Sequence, residues 1–136
     1  MKVFLARVFA SVALLGLALV FVESTAASAA GTGPTTAITS PSIGGNLQGT
    51  SALLDASASA PPAGVASVTF YVSDYSTVYF GKNNPFCGAT LSIYGWVCTY
   101  DTANVPSGTY TLYSQVVDNL GLVGKSATQR ITINGA

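Results

Sequence analysis

Histidine is absent from all 136 residues, and charge is scarce, with five Lys or Arg against five Asp or Glu. Without histidine the chain has no His-based catalytic triad, no His metal ligand and no His proton shuttle. Glutamate does not occur after Glu23, and the sequence contains no glycine-rich phosphate loop or other cofactor motif. We therefore predict that the protein is not an enzyme and that it uses no cofactor and no metal.

The balanced charge does not indicate a nucleic-acid-binding surface, because the sequence contains no basic stretch or face. After Glu23 three cations stand against four aspartates, a net charge of −1. The cations are Lys82, Lys125 and Arg130, and the acids are Asp55, Asp74, Asp101 and Asp118. We predict no nucleic-acid partner.

The aspartates offer little chemistry in this arrangement. Asp74, Asp101 and Asp118 fall at the ends of predicted strands, where Asp commonly accepts hydrogen bonds from local backbone amides. A calcium site needs six or more oxygen ligands, and no Asp-x-Asp spacing occurs. A hydrolase needs two carboxylates across one cleft, which distance along a sequence does not reveal. A small Asp-dependent hydrolase therefore stays a weak alternative.

The N-terminal segment has the pattern of a secretory signal peptide. A basic start with Lys2 and Arg7 precedes an apolar run over residues 8–22, and small residues follow at 27–29. The run of 15 residues is shorter than the roughly 20 that a spanning helix needs. We predict a signal peptide over 1–29, a flexible leader over 30–35 and one domain over 36–134. The mature protein is then secreted, outside the membrane or at the cell wall.

The most regular stretch of the mature chain is residues 106–121. Turn signals at both ends enclose a period-two run, which puts Tyr110, Leu112, Ser114 and Val116 on one face. This alternation predicts the central strand of an antiparallel sheet with one wet face. Similar patterns predict strands over 36–41, 50–58, 65–73, 77–80, 94–101 and 126–133. About seven short strands with no helix between them are typical of an all-β sandwich.

Four segments carry a resemblance to a known family: 64–72 (GVASVTFYV), 95–102 (GWVCTYDT), 105–112 (VPSGTYTL) and 117–121 (VDNLG). They resemble the bacterial immunoglobulin-like domain of many secreted bacterial proteins, over nearly all of residues 35–134. The resemblance implies an immunoglobulin-like sandwich and a role as a spacer or accessory module beside enzymes or adhesins. The expected departures from that usage are a single copy without a catalytic partner and an added cysteine pair.

Tyr110 has two interpretations. Sandwiches often place a tyrosine near the start of a central strand, where its hydroxyl caps a nearby loop. The alternative is an ordinary core tyrosine with its tip in water.

Cys87 and Cys98 are the only cysteines. In an oxidising compartment such a pair is expected to form a disulfide. A redox pair is the alternative, although redox pairs usually have two-residue spacing beside the start of a helix.

Aromatic side chains are concentrated between residues 75 and 100. Sugar rings stack on exposed aromatic faces, so Tyr75, Tyr79, Tyr94 and Trp96 are candidate binding residues. The alternative is core packing, which suits Trp96 better than the three tyrosines.

The function expected from the sequence is a non-catalytic binding or adhesion module for a polysaccharide, a cell-wall polymer or a protein. A structural spacer or self-associating domain is the alternative. The sequence leaves the oligomeric state open.

Overall fold

The computed structural model describes residues 33–135. The predicted signal peptide over 1–29 and residues 30–32 of the predicted leader lie outside the described residues. Within 33–135 every regular element is a strand, and no segment forms a helix with the length and hydropathy needed to cross a membrane.

The strands of the described region number ten. They are β1 Thr35–Ser40, β2 Asn46–Gln48, β3 Ala52–Ser59, β4 Val65–Asp74, β5 Asn84–Gly88, β6 Thr90–Ser92, β7 Gly95–Tyr100, β8 Gly108–Asp118, β9 Val123–Lys125 and β10 Gln129–Asn134.

The strands form two sheets. A four-stranded sheet has the order β1-β3-β7-β6, and a six-stranded sheet has the order β2-β10-β8-β4-β5, with β9 paired to β8. All pairs are antiparallel except β2 with β10, which is parallel. The chain changes sheets between β5 and β6 through the single residue Ala89. This architecture confirms the all-β sandwich, with one parallel pair that the sequence pattern did not predict.

Strand β8 lies in the interior of the six-stranded sheet, between β10 and β4. Its burial alternates from Thr109 to Asp118, and the predicted inner set of Tyr110, Leu112, Ser114 and Val116 is buried. The buried Ser114 hydroxyl has a partner on the other sheet, because Thr36 Oγ1 lies 2.9 Å from its Oγ. The period-two pattern of β8 thus predicted both its position and its inner face.

The core fills the space between the sheets. It consists of alternating inward side chains from both sheets, among them Leu54, Phe70, Val72, Phe86, Tyr110, Leu112, Ile131 and Ile133. The inward residues on β3 are small, Ala52 and Ala56 on either side of Leu54. Small side chains allow the facing sheet to approach closely.

Tyr110 resolves the two interpretations of its role. Its side chain is completely buried, and its hydroxyl donates a hydrogen bond of 2.6 Å to the carbonyl of Pro106. The residue therefore caps the loop that leads into β8, and its tip does not lie in water.

The predicted count of about seven strands is wrong, because three short strands and one edge strand add to it while one predicted strand is missing. Strands β6 and β9 have three residues each, too few for an alternation to be recognised. Strand β2, also of three residues, overlaps the short edge piece that the sequence suggests over 47–49. Strand β5 begins at Asn84, within residues 81–85, where the Gly, Asn and Pro content predicts a break in the strand pattern. Because β5 is an edge strand, it tolerates Pro85, which donates no hydrogen bond to a neighbour.

The strand predicted over 77–80 does not form. The carboxylate of Asp74 accepts hydrogen bonds from the backbone N–H groups of Tyr79 and Phe80. These donors are consequently unavailable to a neighbouring strand, and residues 75–83 form a compact loop between β4 and β5.

Candidate functional site

The loop over residues 75–83, called here the tyrosine loop, is organised by the acid that precedes it. Asp74 accepts hydrogen bonds from the amides of Tyr79 (2.9 Å), Phe80 (2.9 Å) and Gly81 (2.6 Å). Desolvation acts to raise the pKa of Asp74, but the three amide donors outweigh it and hold the pKa below the ordinary 3.8. The ionised carboxylate therefore fixes the loop.

A chain of aromatic contacts connects the tyrosine loop to the core. Tyr79 meets Phe80 edge to face at 4.8 Å between ring centroids, and Phe80 meets Phe86 at 5.5 Å in the same manner. Phe80 also contacts Tyr110, and Phe86 stacks on Tyr100 at 3.9 Å. Desolvation, then the nearby Tyr79 and Asp101, raise the pKa of Tyr100. Tyr79, itself 50% exposed, is thus the solvent-facing end of a packed aromatic column.

Tyr75 begins the tyrosine loop and is 57% exposed. The guanidinium carbon of Arg130, on β10, lies 4.1 Å from the centroid of its ring. The neighbouring Ser76 holds the loop to β8, because Thr109 N donates to Ser76 Oγ at 2.8 Å and Ser76 N donates to Thr109 O at 3.1 Å. The backbone that carries Tyr75 is therefore fixed, and the Arg130 guanidinium lies over the Tyr75 ring.

The other two predicted binding residues lie elsewhere. Tyr94 is 79% exposed in the turn between β6 and β7. Trp96 pairs with the buried Ala56, faces inward and packs against the core. Strand β7 begins one residue after Tyr94 and ends at Tyr100, which belongs to the aromatic column, so Tyr94 lies roughly 20 Å from Tyr100 at about 3.3 Å per residue. The structure thus brings Tyr75 and Tyr79 to one end and leaves Tyr94 and Trp96 towards the other.

The predicted disulfide is present between Cys87 and Cys98, with 6.5 Å between their Cα atoms. Cys87 lies on β5, at the edge of the six-stranded sheet, and Cys98 on β7 of the four-stranded sheet. The bridge therefore joins the two sheets next to the Phe86–Tyr100 stack.

The sequence did not single out a second aromatic group, on the outer face of the six-stranded sheet. Tyr71 on β4 and Tyr113 on β8 are paired in register and stack at 5.2 Å with 6° between their planes. Lys125 Nζ, on β9, lies 5.3 Å from the Tyr113 ring. Desolvation and the neighbouring Tyr71 raise the pKa of Tyr113. The alternation placed both tyrosines outward, but only the register brings them together.

Three of the four described aspartates have local backbone partners. Asp74 organises the tyrosine loop, Asp101 accepts from Ala103 N at 2.9 Å, and Asp118 accepts from Leu120 N and Leu122 N in the turn after β8. Asp55 lies in β3, on the other sheet. No group of three or more metal-ligating side chains occurs among residues 33–135.

The sequence profile of the bacterial Ig domain matches residues 34–113, more than half of the chain. This chain belongs to the bacterial Ig domain family. The matched region covers β1 to the first half of β8, which includes the tyrosine loop, the disulfide and the Tyr110 corner. No protein of curated function matches the chain.

Solved structures share the fold of this bacterial Ig domain at low sequence identity. An endo-β-1,4-mannanase from Thermotoga petrophila aligns with a TM-score of 0.54 at 16% identity, over 76% of this chain and 20% of the mannanase. Fibronectin(III)-like modules of Clostridium thermocellum CbhA align with a TM-score of 0.53 at 17% identity, over 72% of this chain and 93% of the module chain. The chain thus spans about a fifth of the mannanase, and the likeness concerns the fold.

Proposed function

We propose that this chain is a secreted, non-catalytic bacterial Ig domain that binds an extracellular polymer, with polysaccharide as the first ligand class. The observation that supports it is the pair of exposed tyrosines, Tyr75 and Tyr79, in a loop that Asp74 holds by three hydrogen bonds. The apolar face of a sugar ring packs on an aromatic ring, and a ring that is already ordered loses little entropy on binding.

Secretion is part of this proposal. The support is the signal-peptide pattern of residues 1–29, with a basic start, an apolar run and small residues before the cleavage point. Mass spectrometry of the exported protein tests it. We expect an N-terminus at Ala30, and an N-terminus at Met1 would contradict the proposal.

The local hydrogen bonds of the aspartates support the non-catalytic assignment. Asp74, Asp101 and Asp118 bond to their own loops and turns, and no histidine is available as a proton shuttle. One fold relative is part of a mannanase. For the present chain, the proposal of a polysaccharide partner is supported by its own exposed tyrosines.

The test is retention on insoluble and soluble polysaccharides, with purified cell wall as a further probe. We expect the double change Tyr75→Ala and Tyr79→Ala to weaken binding at least about tenfold, since stacking on each ring contributes about 1 kcal/mol. The matched double change to Phe keeps both rings and should retain most of the binding. Equal binding by the wild type and the Ala variant would contradict the tyrosine loop as the site.

Tyr94 and Trp96 complete the proposed set of binding residues, in a lesser role. Tyr94→Ala separately tests whether the far end contributes. Trp96 is packed against the core, so its change to Phe, which preserves an aromatic core side chain, is the suitable variant. If either weakens binding as much as the tyrosine-loop variant does, the site extends along β7.

A second candidate function, self-association, has its own observation. Strand β6 is the edge of the four-stranded sheet. Leu91 on this strand and Ile93 directly after it are exposed, and the exposed fraction of Ile93 is 91%. An edge strand with apolar side chains can pair with a second copy. Sedimentation equilibrium tests it: dimers that Ile93→Lys abolishes would support it, and a monomer up to high concentration would contradict it.

A further inference from the structure

We propose that the outer face of the six-stranded sheet binds an acidic polysaccharide, whose uronate carboxylates pair with Arg130 and Lys125 while a sugar ring packs against Tyr75. The inference rests on the proposed function in that it takes polysaccharide binding as its starting point. It adds a ligand class and a second surface beyond the tyrosine loop.

Arg130 is prepared for a planar anion. Its side chain is exposed, and its guanidinium carbon lies 4.1 Å from the Tyr75 ring centroid. A guanidinium stacked on an aromatic face keeps its in-plane N–H donors free, and those donors match both oxygens of a carboxylate. The stacking on Tyr75 therefore orients Arg130 without occupying the donors that would bind the ligand.

Lys125 is held by a similar cation–π contact on the same face. Its Nζ lies 5.3 Å from the ring centroid of Tyr113, which stacks on Tyr71. Lys125 approaches from β9 and Tyr71 from β4, on opposite flanks of β8. Tyr113 is consequently enclosed between them, and its contribution is to position the ammonium group and not to offer an open ring.

The two cations lie in one line along β8. Arg130 is in register with Thr111, and Lys125 is in register with Gln115. These positions are four residues apart, about 13 Å at roughly 3.3 Å per residue. The intervening surface presents the half-buried side chains of Thr111, Tyr113 and Gln115, which are neutral and polar at their tips. An extended chain that follows β8 can reach both cations.

Local charge favours an anionic partner. Among the described residues neither Arg130 nor Lys125 forms a salt bridge, and Asp74, Asp101 and Asp118 are directed to their own backbone partners. The outer face is therefore positive, although the chain after Glu23 has a net charge of −1. A neutral polysaccharide would leave both cations unused, whereas a uronate polymer supplies carboxylates for the cations and sugar rings for Tyr75.

The experiment compares polygalacturonate with its methyl-esterified form, in which the carboxylates are blocked on the same sugar backbone. Binding of the full secreted protein is measured by affinity electrophoresis and by calorimetry at two salt concentrations. We expect the wild type to bind polygalacturonate at least about tenfold more tightly than the ester, and added salt to weaken that binding because the charges are exposed.

Variants test the assigned residues. Arg130→Gln should weaken polygalacturonate binding about tenfold and Lys125→Gln about threefold. Arg130→Lys keeps the charge but loses the two parallel hydrogen bonds that a guanidinium donates to a carboxylate. Its affinity should therefore fall between those of Arg130→Gln and the wild type. Asp101→Asn, after β7 of the four-stranded sheet, is the control, since it changes the net charge by one unit outside this face and should change affinity less than twofold. Thermal unfolding verifies that every variant is folded.

Several outcomes would overturn the proposal. Equal binding of polygalacturonate and its ester would leave the proposed polysaccharide function intact and reject the acidic ligand. A change in affinity for Asp101→Asn as large as that for Arg130→Gln would reject the face, since net charge alone would explain binding. Equally tight binding of a double-stranded DNA fragment would indicate a general attraction of polyanions. Retention of no polysaccharide of any kind would reject this inference and the proposed function together.

Discussion

Strand β8 and the tyrosine loop contact each other, yet different forces determine their conformations. In β8 buried side chains alternate with half-buried ones from Thr109 to Asp118, and burial of apolar surface stabilises the strand. The tyrosine loop has two exposed tyrosines, Tyr75 and Tyr79, and its conformation is held by the Asp74 carboxylate through three hydrogen bonds. Three hydrogen bonds between Ser76 and Thr109 join the regions.

The difference shows where the domain keeps its stability and where it can present a ligand surface. Side chains on the inner face of β8 are enclosed by both sheets, so a change there affects the whole fold. Changes in the loop should alter a local surface and leave the sheets in place. Substitutions in the two regions should therefore differ in their cost to stability.

Truncation of the β8 core should have the largest effect. Leu112 is completely buried, so Leu112→Ala should lower the free energy of unfolding by about 3–4 kcal/mol through lost burial and a cavity. Leu120→Ala is the matched control in the turn after β8, because Leu120 is 76% exposed and its loss should cost less than about 0.5 kcal/mol. Urea unfolding measures both, and similar costs would refute the assignment of β8 to the core.

Removal of the bridge between the sheets should follow in size. The double change Cys87→Ser and Cys98→Ser opens a loop with a sequence separation of 11. The chain-entropy estimate for such a loop is about 2–3 kcal/mol of lost stability. Reduction of the wild type under denaturing conditions should give the same loss of urea midpoint. A stable domain with no measurable change would mean that the sheets need no covalent link at this edge.

Removal of the Tyr110 hydroxyl should have an intermediate effect. Tyr110→Phe keeps the ring but leaves the Pro106 carbonyl without its donor, at a cost of about 1–2 kcal/mol. Tyr113→Phe provides the control on the same strand, with its hydroxyl on the outer face, and should cost less than about 0.5 kcal/mol. Thermal unfolding of both variants compares them. If the two are equally stable, the corner does not contribute to the fold.

The smallest effect on global stability is expected from Asp74→Asn, at about 1 kcal/mol near neutral pH. The folded-state pKa of Asp74 is below the ordinary 3.8, so its contribution is present above about pH 4 and is lost as the pH falls through the folded-state value. The stability difference between wild type and variant should therefore shrink below pH 4. Asp101→Asn, which loses a single amide partner, is the control.

How well the fold could be predicted depended on the range of the interactions involved. The alternation of β8 and of Val68, Phe70 and Val72 in β4 indicated strands and their inner faces correctly, because period two is a local property. The segment 77–80 has the same β-forming composition, yet it forms a loop. Its backbone donors are taken by Asp74, and composition does not show which partner a backbone amide selects.

The candidate site was predictable in part. Exposure of Tyr75, Tyr79 and Tyr94 agrees with the expectation that these side chains reach solvent, and the inward Trp96 agrees with the core alternative. The Tyr71–Tyr113 stack and the Arg130–Tyr75 contact depend on the register between strands that are distant in sequence. No local pattern specifies that register, so the outer face emerged only from the folded chain.

The parallel pairing of β2 with β10 determines how the domain would respond to tension. Asn46, Leu47 and Gln48 lie beside Thr132, Ile133 and Asn134, so the N-terminal and C-terminal parts of the chain run side by side in one direction. A pull on the two chain ends in opposite directions would act along these strands. Their hydrogen bonds would be loaded together in shear and would not open one after another, so we expect this short pair to resist such a pull.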